Sequence, residues 1–442
     1  MKKNEIYEIE IIDIGNNGEG IGKVDDFVVF IPYTLKGEII KTLILKVNKN
    51  FAYGKILNIV KQSEFRVEPP CPYFYKCGGC NLQHLQYAKQ LVVKKNIVET
   101  TLKKQLGEVE VKDCVASNLQ YAYRNKMQLP ATINGIGMFR ENSHDIVEIE
   151  NCLLCDNWIQ TFIKNIKLFI QATNLTLYDE ENHKGVLRHI LARKVDNNYS
   201  FTLVINAEKL PKEDKLIEIL SNDFESFSLF YCVNKIKNNT ILTNNIVCLY
   251  GNATQNTVDF EIEYFISPNS FLQVNRYIQN CIYQKIQSLL NSNQIVIDAY
   301  SGAGLLSAIL SKKAKQVYGI EIVKSATENA EALMKHNKIA NVKNINGDCA
   351  LILPTLVEDL SKSEDNISLV LDPPRKGCDE KVLEAITLAK PNEIFYISCN
   401  PSTLARDLKK LTTSYDIEFI EPYDMFPQTK HIETLVRLKL KK

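Results

Sequence analysis

Cys399 stands at the end of an apolar run, Glu393-Ile394-Phe395-Tyr396-Ile397, inside the stretch Ser398-Cys399-Asn400-Pro401. Such a run reads as a buried strand, and a thiol at its carboxyl end lies where open α/β sheets bind ligands. Well upstream, Ile295-Val296-Ile297-Asp298 leads into the glycine turn Ala299-Tyr300-Ser301-Gly302-Ala303-Gly304, and downstream Glu433 closes Pro427-Gln428-Thr429-Lys430-His431-Ile432-Glu433. A soft nucleophile, a turn that lets a ligand approach the backbone and a carboxylate base are the inventory of covalent methyl transfer. An isolated cysteine is usually a small buried hydrophobe. Ser398 and Asn400-Pro401, flanking this one at a strand end, argue against that.

Four successive apolar runs end in an acid. They are Asp298; Glu321 after Gln316-Val317-Tyr318-Gly319-Ile320; Asp348 in Asn346-Gly347-Asp348; and Asp372 in Leu369-Val370-Leu371-Asp372-Pro373-Pro374-Arg375. Any one of them is an ordinary helix cap. In series they describe the ligand edge of a sheet, with Glu321 placed for ribose hydroxyls, Asp348 for an adenine amino group and the two prolines as a rigid wall. A dinucleotide fingerprint asks for a small residue three positions beyond Gly304. Ser307 meets that only loosely, so the pattern favours a methyltransferase sheet.

The chain has 12 cysteines, of which Cys71, Cys77 and Cys80 crowd together around Gly78-Gly79. Without an apolar secretory leader, such crowding argues for a metal or cluster rather than disulfides. Three soft ligands suit zinc or an iron–sulfur cluster equally, and both require a fourth.

These groups need elements to hold them. Residues 1–60 alternate as short strands around four glycines between Gly15 and Gly22, which predicts a five-stranded OB-like β-barrel, an architecture that often contacts RNA. Residues 61–112 hold the cysteines and then a helical pattern. Residues 113–260 read as a central α+β domain with one clear helix, Trp158 to Thr173. Residues 261–442 alternate strands and helices as a doubly wound, Rossmann-like α/β sheet. With 45% hydrophobic and 24% charged residues the composition is that of a globular protein. A net charge of +1 excludes a global polyanion-binding field, so a nucleic-acid partner must use a local surface. One such surface is residues 86–126, where eight Lys/Arg face four acids. No apolar run approaches the roughly 18 residues that span a bilayer. The chain is therefore expected to be cytoplasmic, without a membrane partner, and monomeric.

Taken together, these motifs resemble the RNA uracil-C5 methyltransferases that use S-adenosylmethionine. The motifs that carry the resemblance are the barrel, C-x5-C-x2-C at Cys71, Cys77 and Cys80, Phe271-Leu272-Gln273-Val274-Asn275, the Asp298 turn, Asp372-Pro373-Pro374-Arg375 and Ser398-Cys399-Asn400-Pro401-Ser402-Thr403-Leu404-Ala405-Arg406-Asp407. The resemblance is to the type with a TRAM barrel and an iron–sulfur cluster that modifies bacterial 23S rRNA. It implies Cys399 as nucleophile and Glu433 as base, with Gln273, Tyr300, Glu321, Asp348 and Asp372 around the cofactor or target base. It also implies a [4Fe-4S] cluster on Cys71, Cys77, Cys80 and a distant fourth cysteine. Cys152 fits that place, and Cys155 is its rival. Leu305 stands where some members carry Asn, so no cofactor contact is assigned to it.

The chemistry accounts for the residue types. Carbon 5 of uracil is a weak nucleophile until a thiolate adds at carbon 6. A base must then remove the carbon-5 proton so that the thiolate can leave. An ordinary thiol is mostly neutral near pH 7, so Arg406 or the following helix N-terminus is expected to favour the thiolate. His431 is expected to orient or pack rather than catalyse. The target base must leave its stack, and Tyr123-Arg124-Asn125-Lys126 and the barrel are the expected RNA grips. Transfer RNA is the alternative substrate, cytosine-C5 transfer an alternative reaction, and a non-catalytic iron–sulfur RNA-binding protein an alternative class.

Overall fold

The computed structural model describes residues 1–362 and 366–442. Strands Ile6–Ile14, Gly20–Val24, Phe27–Ile31, Ile39–Val47 and Phe51–Lys61 close into a barrel in the order first, second, third, fifth, fourth. Alternation turns Ile9, Ile11, Val29, Ile31, Ile40 and Ile44 inward. Gly22 is needed where strands cross closely, because a Cβ there would lie 2.3 Å from Ile9 Cγ2.

An irregular stretch leads to the helix Tyr87–Leu106, which buries Gln90, Lys94, Ile97, Val98, Thr101 and Leu102 along one stripe. That stripe packs on the C-terminal domain, where Ile97, Val98, Leu102 and Val111 join the core of its sheet. The chain then builds a seven-stranded central sheet, ordered Ile246–Tyr250, Phe227–Val233, Asn198–Ile205, Leu187–Val195, Lys126–Thr132, Gly135–Phe139, Ile146–Glu148. Trp158–Thr173 covers it, with the Phe162 and Phe201 rings stacked at 4.3 Å. A second helix, Glu213–Ser221, was not expected; only Leu216 and Leu220 of it are buried. A hairpin, Gln255–Asp259 with Ile262–Ile266, spans the junction at residue 260.

The C-terminal sheet has seven strands in the order Val342–Asn346, Gln316–Glu321, Ile295–Ala299, Ile367–Leu371, Glu393–Ser398, Glu433–Leu440, Tyr415–Tyr423. The first five are parallel, Glu433–Leu440 pairs antiparallel with Glu393–Ser398, and Tyr415–Tyr423 pairs antiparallel with Glu433–Leu440. Strand order reverses between Ile295–Ala299 and Ile367–Leu371, which opens a ligand crevice at their carboxyl ends. Among the described residues no helix is long and apolar enough to cross a membrane.

Candidate active site

Antiparallel pairing sets Ser398 opposite Thr434. Carried one residue further, that register brings Cys399 beside Glu433, and Asp372 leaves the neighbouring strand at the same edge. The turn that presents Cys399 is short and satisfied: Ser398 Oγ accepts from the Asn400 N–H at 3.2 Å, and Asn400 Oδ1 accepts from the Ser402 N–H at 3.0 Å, capping the helix Pro401–Leu411. The thiol is pushed up to about 11, first by burial and then by the charges of Glu433 and Asp372, while Arg375 acts the other way. Burial and Asp372 likewise hold the Glu433 carboxyl, 3% exposed, well above the ordinary carboxylate range, with Arg375 opposing. Burial thus disfavours both ionised forms at the resting site, the thiolate of Cys399 and the carboxylate of Glu433. A cleft of about 230 Å³ opens over Cys399, walled by Arg375, Ser402, Lys430, His431 and, from the barrel, Asn16 and Asn17.

One expectation about this edge changes, that for Arg406, while His431 packs as expected. Arg406 is bound to Asp407 at 2.7 Å and to the carbonyls of Lys376 and Cys378, so it serves structure, and Arg375 is the cation that acts on Cys399. His431 is held neutral, lowered to about 4 by burial and by the nearby Arg375, Lys430 and Lys94. Its ring packs edge-on against Phe426 at 5.8 Å.

A clamp that the sequence reading missed holds the loop before Glu433. Fully buried Lys94 pairs with fully buried Asp424 at 2.5 Å and donates to the carbonyls of Phe426 and His431 at 3.0 and 2.9 Å. Gln428 has a left-handed backbone, φ 70°. Its carbonyl accepts from the Asn81 and Leu82 N–H groups at 3.1 and 3.0 Å, and its side-chain oxygen accepts from Gln90 Nε2 at 2.9 Å. The signal was present as Gln90 and Lys94, polar residues lying in the helix's own apolar stripe.

In the crevice, Glu321 accepts from the Gly302 and Val323 N–H groups at 3.0 and 2.8 Å. Gly304, at φ 82°, lets the turn lie on the next helix, since a Cβ would come within 2.7 Å of Ala330 Cβ. Asp298 accepts from Ser307 Oγ at 2.6 Å; burial, Asp372 and Glu321 raise it to about 7. Burial also raises Asp372 to about 7. Tyr300, at φ 68°, is half-buried with its hydroxyl beside Cys378. Asp348 caps the helix Cys349–Ser361 through the Ala350 N–H at 2.9 Å, so one carboxylate oxygen is spent there. The Gln273 carbonyl accepts from Asn125 Nδ2 at 2.9 Å, which ties the central sheet to the crevice rim. Apolar side chains flank these acids in the open: Ile322 is 67% exposed, Leu351 74% and Phe271 84%. Tyr283, also missed, has its phenol pushed up first by burial and then by Asp372, Asp298 and, more weakly, Glu433. Asp372 and Glu321 both act on Asp298, so a cation bound among these carboxyls would favour their ionised forms, which suits a cationic sulfonium ligand.

The clustered cysteines do not line the Cys399 cleft. Cys71, Cys80 and Cys152 pack with Phe74, Tyr121, Tyr123 and Leu154. Burial raises the thiols of Cys71, Cys77 and Cys80, and the neighbouring cysteines add to it. Cys152 is lowered by the Cys155 S–H, the Leu154 N–H and Arg124; both cysteines touch the core of the central domain, and Cys152 also packs with Cys71 and Cys80. Among the described residues, no three His, Cys, Asp or Glu side chains converge closely enough to hold a metal ion as they stand. The donor set and its apolar surround suit a cluster in kind, and binding one calls for the sulfurs to turn toward a common centre. Tyr123, expected as an RNA grip, is buried and donates to the Pro427 carbonyl at 3.1 Å.

The comparisons with known proteins agree with this architecture. The tRNA (uracil-5-)-methyltransferase family model matches residues 86–441, and the TRAM domain model matches residues 2–57. An RNA methyltransferase of Clostridium acetobutylicum is 40% identical, over 99% of this chain and 98% of its own, and one of Listeria innocua is 38% identical, over 100% and 99%. The solved tRNA (uracil-54, C5)-methyltransferase of Pyrococcus abyssi, in complex with S-adenosyl-L-homocysteine, superposes with a TM-score of 0.78 at 27% identity, covering 98% of this chain and 100% of that one. The chain belongs to the tRNA (uracil-5-)-methyltransferase family of S-adenosylmethionine-dependent RNA methyltransferases, with a TRAM domain at its N-terminal side.

Proposed function

We propose that this enzyme methylates carbon 5 of a uridine in 23S rRNA through a covalent adduct on Cys399, with Glu433 as the proton acceptor. The observation that carries the reading is the register that sets Cys399 beside Glu433 at the crevice edge. S-adenosylmethionine, when bound, supplies an electrophilic methyl group; Glu321 would hold its ribose, Ile322 and Leu351 its adenine, and Asp298 and Asp372 would face its positive charge. Tyr300, Asp348 and Gln273 complete the surround.

The steps assigned to the chain balance. Cys399 gives its proton to solvent as the uracil enters, and its thiolate adds to carbon 6 while carbon 5 gains carbanion character. After carbon 5 takes the methyl group, ionised Glu433 removes the carbon-5 proton, the carbon–sulfur bond breaks and the thiolate is restored. One proton is released per methyl transferred. A carboxylate with a raised pKa is a stronger base once ionised, which suits Glu433 to this step. Arg375 favours the thiolate, and His431, neutral, positions the loop.

Large-subunit RNA is assigned because the four thiols and the barrel together resemble the members that act there. Cys71, Cys77, Cys80 and Cys152 are assigned to a [4Fe-4S] cluster of structural role; Cys152 is preferred over Cys155 because it packs with Cys71 and Cys80 and acts on the thiols of Cys71, Cys77 and Cys80. Mapping 5-methyluridine across total RNA of a deletion strain tests the substrate. One missing 23S site, restored by the wild type and not by Cys399→Ala, is expected. A missing tRNA site would move the substrate assignment, and an unchanged map would refute the activity.

A further inference from the structure

A second cleft, of about 560 Å³ against about 230 Å³ over Cys399, lies on the other side of Lys430, which lines both. Gln128 and His189, from neighbouring strands of the central sheet, line it. Phe139 and His144, with ring centroids 5.5 Å apart, form an aromatic wall. Glu141 lies toward the catalytic side, 3.2 Å from Lys430 Nζ. The cysteine segment shapes the cleft as well. Gly78 donates its N–H to the Phe139 carbonyl at 3.0 Å, and a Cβ on Gly78 would come within 2.9 Å of the Glu141 nitrogen.

Each wall narrows what can enter. Two rings offer a stacking surface, which takes any base because every base has a π-face. The Glu141 carboxylate, paired with Lys430, only accepts hydrogen bonds, so its remaining lone pairs favour an amino group on an entering base over a carbonyl, as acidic side chains do with cytosine N4. His189 Nδ1 is buried without a hydrogen-bond partner among the described residues. Burial and the adjacent Arg188 keep its ring neutral, so one nitrogen can donate and the other accept. Since Lys430 lines both clefts, an RNA strand with one base in the catalytic pocket can carry a near neighbour to the second.

We infer that this cleft is a second base pocket, which takes an unpaired, amino-bearing base of the substrate RNA close to the target uridine and so contributes to choosing which uridine is methylated. The inference rests on the proposed uridine chemistry for the identity of the first base, but not for occupancy of the second pocket.

The test uses fluorescein-labelled single-stranded RNA 9-mers and the full-length protein saturated with S-adenosylhomocysteine, read by fluorescence anisotropy. The probes are nine uridines, the same strand with one central adenosine, and that strand with nebularine, which is adenosine without its amino group. Wild type is expected to bind the adenosine strand about tenfold more tightly than the all-uridine strand, and nebularine to lose that gain. Glu141→Gln and, separately, His189→Asn should abolish the preference while leaving all-uridine binding unchanged, which also shows that the variants fold. Equal affinity of wild type for the three strands, or an adenosine preference that survives both variants, overturns the pocket. An adenosine preference in a protein that methylates no uridine would sink the proposed reaction and leave the pocket standing.

Discussion

Replacing Arg375 by Gln isolates what the resting site does to its nucleophile. With the Cys399 thiol near 11, roughly one molecule in three thousand carries a thiolate at pH 7.5, a cost of about 5 kcal/mol if none of it is recovered on substrate binding. Of the charged side chains that act on the sulfur, Glu433 and Asp372 oppose the thiolate and Arg375 supports it. Two unit charges on the order of 6 Å apart interact by about 3 kcal/mol at an effective dielectric of 20. Arg375 is exposed, so solvent screening reduces that to about 1 kcal/mol, a five- to tenfold effect. The assay is single-turnover adduct formation on RNA containing 5-fluorouridine. Fluorine on carbon 5 cannot be removed as a cation, so the adduct accumulates on a denaturing gel and the Glu433 step is bypassed. Between pH 6.5 and 9 the wild-type rate should climb about tenfold per pH unit, because the ionising group titrates above the range. Arg375→Gln should give a parallel line five- to tenfold lower. A wild-type plateau by pH 8, or two superimposed lines, would refute the account of how the thiol is held.

Glu433→Gln should trap a denaturation-resistant adduct on natural uridine RNA; methyl transfer without any adduct would remove Glu433 from the proton step. The same variant should melt at a higher temperature than wild type at pH 8. A carboxyl whose folded pKa is raised keeps its proton in the fold while the unfolded chain ionises near 4.3, so its effect on stability worsens as pH climbs from there to the folded value; scanning calorimetry at pH 5 and 8 checks the sign. Lys94→Met should destabilise by about 3–5 kcal/mol in urea, because Asp424 is left buried and unpaired, and Lys94→Met with Asp424→Leu should recover most of the loss. Anaerobically purified protein should absorb broadly near 400 nm; Cys152→Ser should lose that band and its iron, whereas Cys155→Ser should keep both. Stoichiometric zinc in colourless protein would overturn the cluster.

The parts of this architecture that were legible in the sequence were local. Runs ending in Asp298, Glu321, Asp348 and Asp372 declare strands by length and apolarity, and the barrel by alternation, so both layers could be expected before any coordinates. Tertiary partnership was not legible. The stripe on Tyr87–Leu106 announces that a face is buried but not against what, and its attachment to the C-terminal sheet could not be read from position. The same limit hid the clamp, because Lys94 and Asp424 are far apart in the chain and each alone looks like a surface charge. Arg406 was expected to act on the thiol because distance along a helix is readable, whereas the ion pair with Asp407 that occupies it is a matter of side-chain geometry.

The barrel does not stand apart from the chemistry. At Gly18 a Cβ would lie 3.3 Å from Asn81 Cβ and 3.7 Å from Lys430 Cβ, and its neighbours Asn16 and Asn17 wall the Cys399 cleft. Positions 18, 81 and 430 thus meet at one point. At about 5–20 residues per second on the ribosome, roughly 20–80 s separate synthesis of the first from the last. The barrel can fold on emergence, but its catalytic wall then waits for almost the whole remaining chain. An unfinished polypeptide can grip RNA before it owns a pocket in which to alter it, and removal of the last strands erases the pocket rather than merely weakening it.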